Sequence, residues 1–168
     1  IMSHTPIIRP VAETDAATIT RIYNHYITST TVSFETEPLT VHDMLQRIKD
    51  ISSSFPYLVA EEEGRVVGYC YVHLWKDRAA YSHTLEFTIY LDPDHKGRGT
   101  GTRLARHVID SCRTNNTCKN IIACITGENQ ESLAFHGSLG FEKVSHFKGV
   151  GYKQGRWLDV IDMQLTII

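Results

Sequence analysis

The run Lys96–Gly101 places glycines three and five positions after a basic residue, directly behind a strand-like segment. That segment, Thr84–Leu91, is rich in β-branched and aromatic residues, and Leu104 and Val108 beyond the run recur at helical spacing. A glycine-rich loop between a strand and a helix leaves backbone N–H groups unpaired at the positive end of the helix dipole. Such a loop binds anions, so the pattern predicts a site for a phosphate or pyrophosphate.

Three kinds of phosphate loop can be compared with this run. A P-loop requires Gly, four residues and then Gly-Lys-Ser/Thr, and no such string occurs in the chain. A dinucleotide-binding loop requires a third glycine where this chain has Thr102, and an acidic residue about twenty positions later, near Asn120. The third kind has a basic or amide residue and glycines at the observed offsets, and it fits. Taken alone, the run is also compatible with an ordinary glycine-rich turn.

The fitting pattern resembles the pyrophosphate loop of the GNAT family of acyl-coenzyme-A N-acyltransferases, where Gln or Arg usually stands at the position of Lys96. A second stretch, Asn129–Phe141, reads NQESLAFHGSLGF and resembles the helix motif that follows the splayed strand in the same family. Two such motifs in the right order, with a strand between them, are far more specific than either one alone.

The resemblance narrows to the phosphinothricin and methionine sulfoximine acetyltransferase branch of that family and runs from about residue 8 to residue 165. It is carried by five segments: 31–38, 75–81, 85–91, 135–141 and 155–160. The resemblance implies transfer of an acetyl group from acetyl-CoA to the α-amine of a small amino-acid analogue, and a homodimer. Two alternatives stay open: acetylation of another amine (a polyamine, an aminoglycoside or a protein N-terminus), and a non-catalytic acyl-CoA sensor.

The same resemblance implies the site residues. The catalytic pair would be Glu86 and His136. Acetyl-CoA would contact the end of the central strand, the glycine-rich loop and the later helix at Ile89, Tyr90, Leu91, Lys96, Gly97, Arg98, Gly99, Thr100, Gly101, Thr102, Asn129 and Ser132. The acceptor would meet Phe34, Glu35, Lys76, Arg78 and Tyr81. Arg103 can also meet a cofactor phosphate, whereas a surface position is the simpler interpretation of Lys119. Glu35 stands where close relatives often carry a basic residue, which puts the substrate range in question.

The chemistry of amide formation is consistent with these roles but does not decide whether Glu86 or His136 is the general base. An amine attacks a thioester only as the free base, and a carboxylate such as Glu86 can bind the ammonium and take its proton. A backbone N–H near Tyr90 can stabilise the oxyanion. His136 can protonate the leaving thiolate, or it can be the base while Glu86 anchors the ammonium. The simpler alternatives are a solvent-facing strand Glu, a helix His bonded to a carbonyl and, around Arg78, a solvated basic loop.

The order of elements predicts the fold class. A short strand at 7–10, two helices, a hairpin at 57–74, the central strand, a helix, a strand, a helix and strands at 141–148 and 156–167 follow one another, with a loop at 149–155. This order predicts an α/β domain over residues 1–168. The family resemblance implies a mixed, mostly antiparallel sheet of six to seven strands, helices on both faces and a splayed strand pair.

Composition excludes several classes of protein. The net charge of −2 argues against generic binding to nucleic acid or to a membrane surface. No apolar run of about 18 residues occurs, and the N-terminus lacks the charged-then-apolar pattern of a secretory signal. The four cysteines form no CxxC pair and are expected to be buried, reduced thiols of a cytoplasmic protein. The histidines show no tight ligand spacing, so no metal site is expected.

Overall fold

The structure is a computed structural model that describes residues 5–168. The first four residues lie outside the described residues. They belong to the predicted domain and to the N-terminal stretch that lacks the pattern of a secretory signal. The strands are β1 (Ile7–Pro10), β2 (Tyr57–Glu62), β3 (Arg65–Leu74), β4 (Thr84–Leu91), β5 (Asn120–Thr126), β6 (Glu142–Lys153) and β7 (Arg156–Thr166). The helices are α1 (Ala16–Ser29), α2 (Val41–Ser52), α3 (Thr100–Thr114) and α4 (Gln130–Ser138).

The seven strands form one mixed sheet in the order β1-β2-β3-β4-β5-β7-β6. β4 and β5 pair in parallel, whereas β1–β2, β2–β3, β5–β7 and β6–β7 are antiparallel. The predicted mixed α/β sheet of six to seven strands is therefore confirmed. Among the described residues, no helix is long and apolar enough to cross a membrane.

The described residues cluster into two compact units. The first unit comprises the residues up to Asn24, Leu39–Val72 and Thr88–Thr114. The second comprises His25–Pro38, His73–Phe87 and Asn115–Ile168. The glycine-rich loop belongs to the first unit, and Glu86 and His136 belong to the second.

In the first unit, α3 packs on β1 and β2 through an apolar face. Leu104 and Val108 are four residues apart, which puts them on the same side of the helix, and both are fully buried with Ala105 between them. Full burial of a Leu or Val side chain stabilises a fold by about 1.5–3 kcal/mol. This packing fixes the helix, and with it the loop that precedes the helix.

In the second unit, β5 pairs with β7 along its whole length but with β4 only from Thr84 to Glu86. Both strands continue beyond these three positions, β4 to Leu91 and β5 to Thr126. The pairing of the two parallel strands therefore ends at Glu86, as the predicted splayed strand pair requires.

Two sequence predictions about this unit are wrong. The sixth strand extends to Lys153 through most of the predicted loop, because the pairing of β6 with β7 shifts register between Phe147 and Gly151 and absorbs the glycines. Cys124 is exposed, whereas the other three cysteines are buried. The apolar run of β5 predicts burial on both faces, but Cys124 lies on the face that also carries Glu86.

Candidate active site

The glycine-rich loop has the backbone conformation that an anion-binding turn requires. Gly97 and Gly99 have φ angles of +76° and +82°, in the left-handed region that only glycine adopts without strain. A Cβ on either residue would meet no atom within 4 Å, so the backbone conformation rather than lack of space calls for glycine. The N–H of Arg103 donates to Gly99 O at 3.1 Å and begins the α3 ladder. The amides of the first turn before Arg103 have no acceptor within the helix, and such turns form anion-binding concavities. The loop therefore fits a pyrophosphate.

The carboxylate of Glu62, on β2, contacts two residues at this loop and holds it in place. The Thr100 hydroxyl donates to Glu62 Oε1 at 2.7 Å, and Arg98 Nη1 lies 3.8 Å from Glu62 Oε2. The Glu62 side chain is only 9% exposed, and Thr100 is buried. The hydroxyl of Thr100 therefore points into the protein, which leaves its backbone N–H as the group available to a ligand.

The end of β4 is fixed by aromatic packing. The Tyr90 ring packs against Tyr23 and Tyr69, with ring centroids 5.2 Å and 5.8 Å apart. A Cβ at Gly68 would lie 2.4 Å from Leu91 Cδ2, so glycine allows β3 to approach this point of β4 closely. The side chain of Tyr90 is thus engaged in the first unit, and a role toward the cofactor would fall to the backbone.

Glu86 is held by a neighbour at each of its carboxylate oxygens. Its Oε2 lies 3.1 Å from Nε2 of His73, and the Cys124 thiol donates to its Oε1 with a sulfur–oxygen distance of 3.4 Å. The hydrogen bond with Glu86 raises the pKa of His73. Although Cys124 is exposed, partial desolvation of its sulfur by the surrounding groups, together with the charges of Glu86 and Asp162, raises the pKa of the thiol, so that the sulfur stays protonated. The half-buried carboxylate is therefore oriented, which a solvent-facing strand Glu would not be.

His136 is buried on α4 against aromatic rings. Its ring lies edge to face with Phe87 at a centroid distance of 5.7 Å and with Phe141 at 5.3 Å. Nδ1–H donates to the Ser132 carbonyl at 2.8 Å, which leaves Nε2 as an acceptor in the neutral ring. Burial lowers the pKa of His136 and favours that neutral form.

The predicted cofactor contacts on α4 also serve the helix itself. Asn129 is the N-cap of α4, and its side-chain oxygen accepts from the Ser132 N–H at 3.1 Å. The Ser132 hydroxyl lies 3.3 Å from Nδ1 of His136. These two residues thus set the start of the helix and the orientation of the imidazole.

The loop between β3 and β4 carries the predicted acceptor contacts Lys76, Arg78 and Tyr81. Lys76 Nζ lies 4.4 Å from the Trp75 ring centroid and 5.6 Å from that of Tyr81. This cation–π arrangement restrains the ammonium above the two rings. Arg78 is exposed and precedes the short 3-10 turn Ala79–Tyr81, so its guanidinium is accessible to a ligand.

The connector 31–38, which carries the predicted acceptor contacts Phe34 and Glu35, has neither helix nor strand but is tied down at several points. The Thr31 hydroxyl donates to Glu128, whose carboxylate binds both terminal nitrogens of Arg156 at 2.8 and 2.9 Å. The bonds from Arg156 and Thr31 lower the pKa of Glu128 to about 2. The buried Lys153 donates to the Ser33 carbonyl at 2.6 Å. Phe34 lies against Gly151, where a Cβ would come within 2.4 Å of the ring. The connector therefore has a fixed position within the second unit.

Comparison with known proteins assigns the family. Residues 8–162 match the family described as the acetyltransferase (GNAT) domain. The chain belongs to the GNAT acetyltransferase family. As a GNAT member with curated N-acetyltransferase relatives, it is an acetyl-CoA-dependent N-acetyltransferase.

Relatives of this GNAT acetyltransferase fall in the branch indicated by the sequence. It is 37% identical over 153 residues to phosphinothricin N-acetyltransferase of Streptomyces viridochromogenes, covering 91% of this chain and 83% of the relative. It is 34% identical to the L-methionine sulfoximine/L-methionine sulfone acetyltransferase of Salmonella typhimurium, covering 95% and 94%. A solved phosphinothricin acetyltransferase from Sinorhizobium meliloti, in complex with acetyl-CoA, superposes with a TM-score of 0.92 at 34% identity, covering 96% of this chain and 88% of that one.

Several residues that contact the predicted site residues or the connector are absent from the sequence-based prediction. They are Glu62, His73, Cys124, Glu128, Lys153 and Arg156. The link between His73 and Glu86 is visible only in the structure, where Trp75 N–H bonds to Thr84 O and His73 lies opposite Glu86 two residues farther along each strand. The other five contacts join residues far apart in the chain, and no local pattern marks them.

Proposed function

We propose that this enzyme acetylates the α-amine of a small amino acid of the phosphinothricin or methionine sulfoximine type. The supporting observation is Glu86, a half-buried carboxylate with both oxygens held, in the same unit as the accessible guanidinium of Arg78. An α-amino acid offers an ammonium and a carboxylate, which match these two charges. The names of the two curated relatives point to the same class of acceptor.

In this proposal the glycine-rich loop and its cations hold the cofactor. The residues that would do so are Lys96, Gly97, Arg98, Gly99, Thr100, Gly101, Thr102 and Arg103, with the backbone of Ile89, Tyr90 and Leu91 and the cap formed by Asn129 and Ser132. When bound, acetyl-CoA supplies the thioester carbonyl carbon that the amine attacks. Backbone N–H groups near Leu91 would stabilise the developing oxyanion.

The two catalytic candidates receive different roles. Glu86 would bind the acceptor ammonium and take its proton. His136 would act as a neutral imidazole that accepts a hydrogen bond at Nε2. A proton donated to the leaving thiolate would require an imidazolium, and burial disfavours that form by lowering the pKa of His136.

The acceptor's own carboxylate would be bound by the loop before β4. Arg78 would grip it through two parallel hydrogen bonds, and Lys76, restrained over Trp75 and Tyr81, would add positive charge. Phe34 and Glu35 on the fixed connector would close the acceptor side. Because Glu35 is acidic, it would favour acceptors with a second polar group that donates hydrogen bonds.

A panel assay of coenzyme A release tests this assignment. We expect turnover with phosphinothricin, methionine sulfoximine and methionine sulfone to exceed turnover with a polyamine, an aminoglycoside or a peptide N-terminus. Arg78→Gln should raise the KM for the amino-acid acceptors and leave the KM for acetyl-CoA unchanged. Turnover of another amine without turnover of any amino acid in the panel would refute the proposed acceptor class. Binding of acetyl-CoA without turnover of any amine would indicate a sensor.

We also propose that the enzyme is a homodimer that associates through β6 and β7. Five large apolar residues of these strands are between 50% and 71% exposed: Val144, Phe147, Val150, Tyr152 and Trp157. Large exposed apolar surfaces are characteristic of protein–protein interfaces, and these five side chains lie on two paired strands. Light scattering should give twice the chain mass, and Trp157→Arg should convert the protein to a folded monomer. A monomeric parent protein would overturn this proposal.

A cytoplasmic location is proposed as well. All four cysteines carry free thiols, and Cys124 is exposed. An exposed free thiol persists in a reducing compartment. Fractionation of cells that produce the protein should recover it with cytoplasmic markers, and recovery from a secreted fraction would contradict this location.

A further inference from the structure

The ring of His73 faces an acceptor at each nitrogen. Nδ1 lies 2.9 Å from the carbonyl oxygen of Leu74, and Nε2 lies 3.1 Å from Oε2 of Glu86. A carbonyl oxygen only accepts hydrogen bonds, and so does an ionised carboxylate. Both nitrogens must therefore donate, and the geometry is that of an imidazolium paired with a carboxylate.

The pair and the groups beside it come from four strands, and His73 itself lies on β3. Glu86 faces His73 from β4, Cys124 reaches the other oxygen of Glu86 from β5, and Asp162 lies opposite Cys124 on β7. The thiol stays protonated and donates to Glu86, and Asp162 adds negative charge beside it. The imidazolium of His73 thus compensates the negative charge of Glu86, and it can lose its Nε2 proton near neutral pH to become a hydrogen-bond acceptor.

We propose that His73 is a positioning residue that acts through Glu86: it orients the carboxylate and takes over the proton that Glu86 removes from the acceptor ammonium. This inference rests on the proposed role of Glu86. The N–H bond of the ammonium breaks as an O–H bond forms at Oε2 of Glu86. The reacting form has a neutral His73, whose Nε2 proton has been lost to water as the pH rises while Nδ1–H stays on the Leu74 carbonyl. The O–H bond of Glu86 then breaks as an N–H bond forms at Nε2 of His73. The pair ends as carboxylate and imidazolium, and release of the ring proton to water resets it.

The transfer to an imidazole makes the removal of the proton more favourable. In water an α-ammonium has a pKa of about 8, a free side-chain carboxyl about 4.3 and an imidazole about 6.5. A proton left on a carboxylate is therefore held several thousandfold more weakly than on the amine. An imidazole behind the carboxylate reduces that deficit by about a hundredfold. The transfer also leaves the carboxylate charged beside the nascent amide.

Two variants of His73 test the inference through the pH dependence of kcat at saturating acceptor. His73→Gln keeps a hydrogen-bond donor near Glu86 but cannot titrate, and His73→Leu removes both properties. We expect kcat of the parent enzyme to rise with pH through a value above about 6.5. His73→Gln should lose roughly tenfold to a hundredfold in kcat and lose that rise, with the KM for acetyl-CoA unchanged. His73→Leu should have a lower kcat than His73→Gln, because it also loses the hydrogen bond that orients Glu86.

His83→Gln is the matched control. His83 also bonds a backbone carbonyl through Nδ1, at 2.6 Å from Thr117 O, and belongs to the same unit. Its replacement should leave kcat and its pH profile unchanged. A loss equal to that of His73→Gln would show a general effect of histidine removal and overturn the inference.

Nitrogen NMR of the histidine rings supplies a readout that is independent of turnover. The signal missing in His73→Gln identifies His73, and it should show two protonated nitrogens near neutral pH. In Glu86→Gln its titration should move toward that of a free imidazole. A His73 signal that titrates identically in both proteins would overturn the pairing.

The outcomes separate this inference from the function on which it rests. If Glu86→Gln abolishes turnover while His73→Gln has the parent pH profile, the role of His73 fails and that of Glu86 stands. If Glu86→Gln retains full turnover, the role of Glu86 fails and the inference fails with it.

Discussion

The ring of His136 meets Phe87 edge to face, so Glu86, the preceding residue of β4, projects from the other side of the strand. Side chains alternate between the two faces of a strand, and this alternation separates the two catalytic candidates. They therefore do not form a pair like the nucleophile and base of a hydrolase. Each must be tested by itself, in the environment of its own face.

Burial of a neutral His136 makes stability depend on pH. The folded-state pKa is lowered, so the unfolded chain binds more protons below about 6.5. The contribution is present above about pH 6.5 and is lost as pH falls through the folded-state pKa. His136→Phe keeps an aromatic ring against Phe87 and should remove this loss. Denaturant midpoints across about pH 5 to 8 check it. His73→Gln should lower stability at low pH and change it little at high pH. The reason is that the raised pKa of His73 stabilises the fold at low pH, and this contribution is lost as pH rises through the folded-state pKa.

The left-handed glycines of the loop predict a separation between stability and cofactor binding. Gly99→Ala should weaken acetyl-CoA binding, because a left-handed conformation costs a non-glycine residue about 1–2 kcal/mol and the loop would relax away from it. Gly64→Ala is the control, since Gly64 has a φ of +76° in the β2–β3 turn and equally open space. It should lower stability by a similar amount and leave the dissociation constant, measured by calorimetry, unchanged. Equal weakening in both variants would contradict an anion-binding role for the loop.

The Glu128–Arg156 pair predicts a change in acceptor affinity alone. Glu128→Gln would free Thr31 and loosen the connector that bears Phe34. We expect the KM for the acceptor to rise about two- to fivefold, as is usual for loss of an exposed ion pair, with the KM for acetyl-CoA unchanged. Arg113→Gln removes another exposed pair, that with Asp110, and should change neither constant. A rise that also affects the cofactor would show a general loss of structure instead.

Cys124 should react slowly with disulfide reagents despite its exposure. Its thiol donates to Glu86, and partial desolvation of the sulfur and the nearby carboxylates raise its pKa, so little thiolate forms. Glu86→Gln should speed the reaction by removing one of the charges. The rate of colour release from an aromatic disulfide at about pH 8 measures this, with the unfolded chain as the reference for unhindered thiols. Rapid reaction of the parent protein would refute the protonated thiol.

The parts of the molecule that local sequence determines are predicted well. The bounds of β4 coincide with the predicted strand Thr84–Leu91, and α3 starts at the glycine-rich loop as its glycines require. The errors occur where distant segments decide the outcome. The register shift in β6 depends on its pairing with β7, and the exposure of Cys124 depends on which face of β5 meets the core. Neither can be deduced from the residues of one strand.

The connector is bound by residues up to 120 positions away in the chain, as in the Lys153–Ser33 contact. With Thr31, Ser33 and Phe34 each fixed, an inserted or deleted residue would disrupt all three anchors at once. We therefore expect evolution to retune acceptor choice here by side-chain replacement at constant length. In the proposed site, an exchange of Glu35 alone would change which acceptors are acetylated and leave the architecture that bears this residue unaltered.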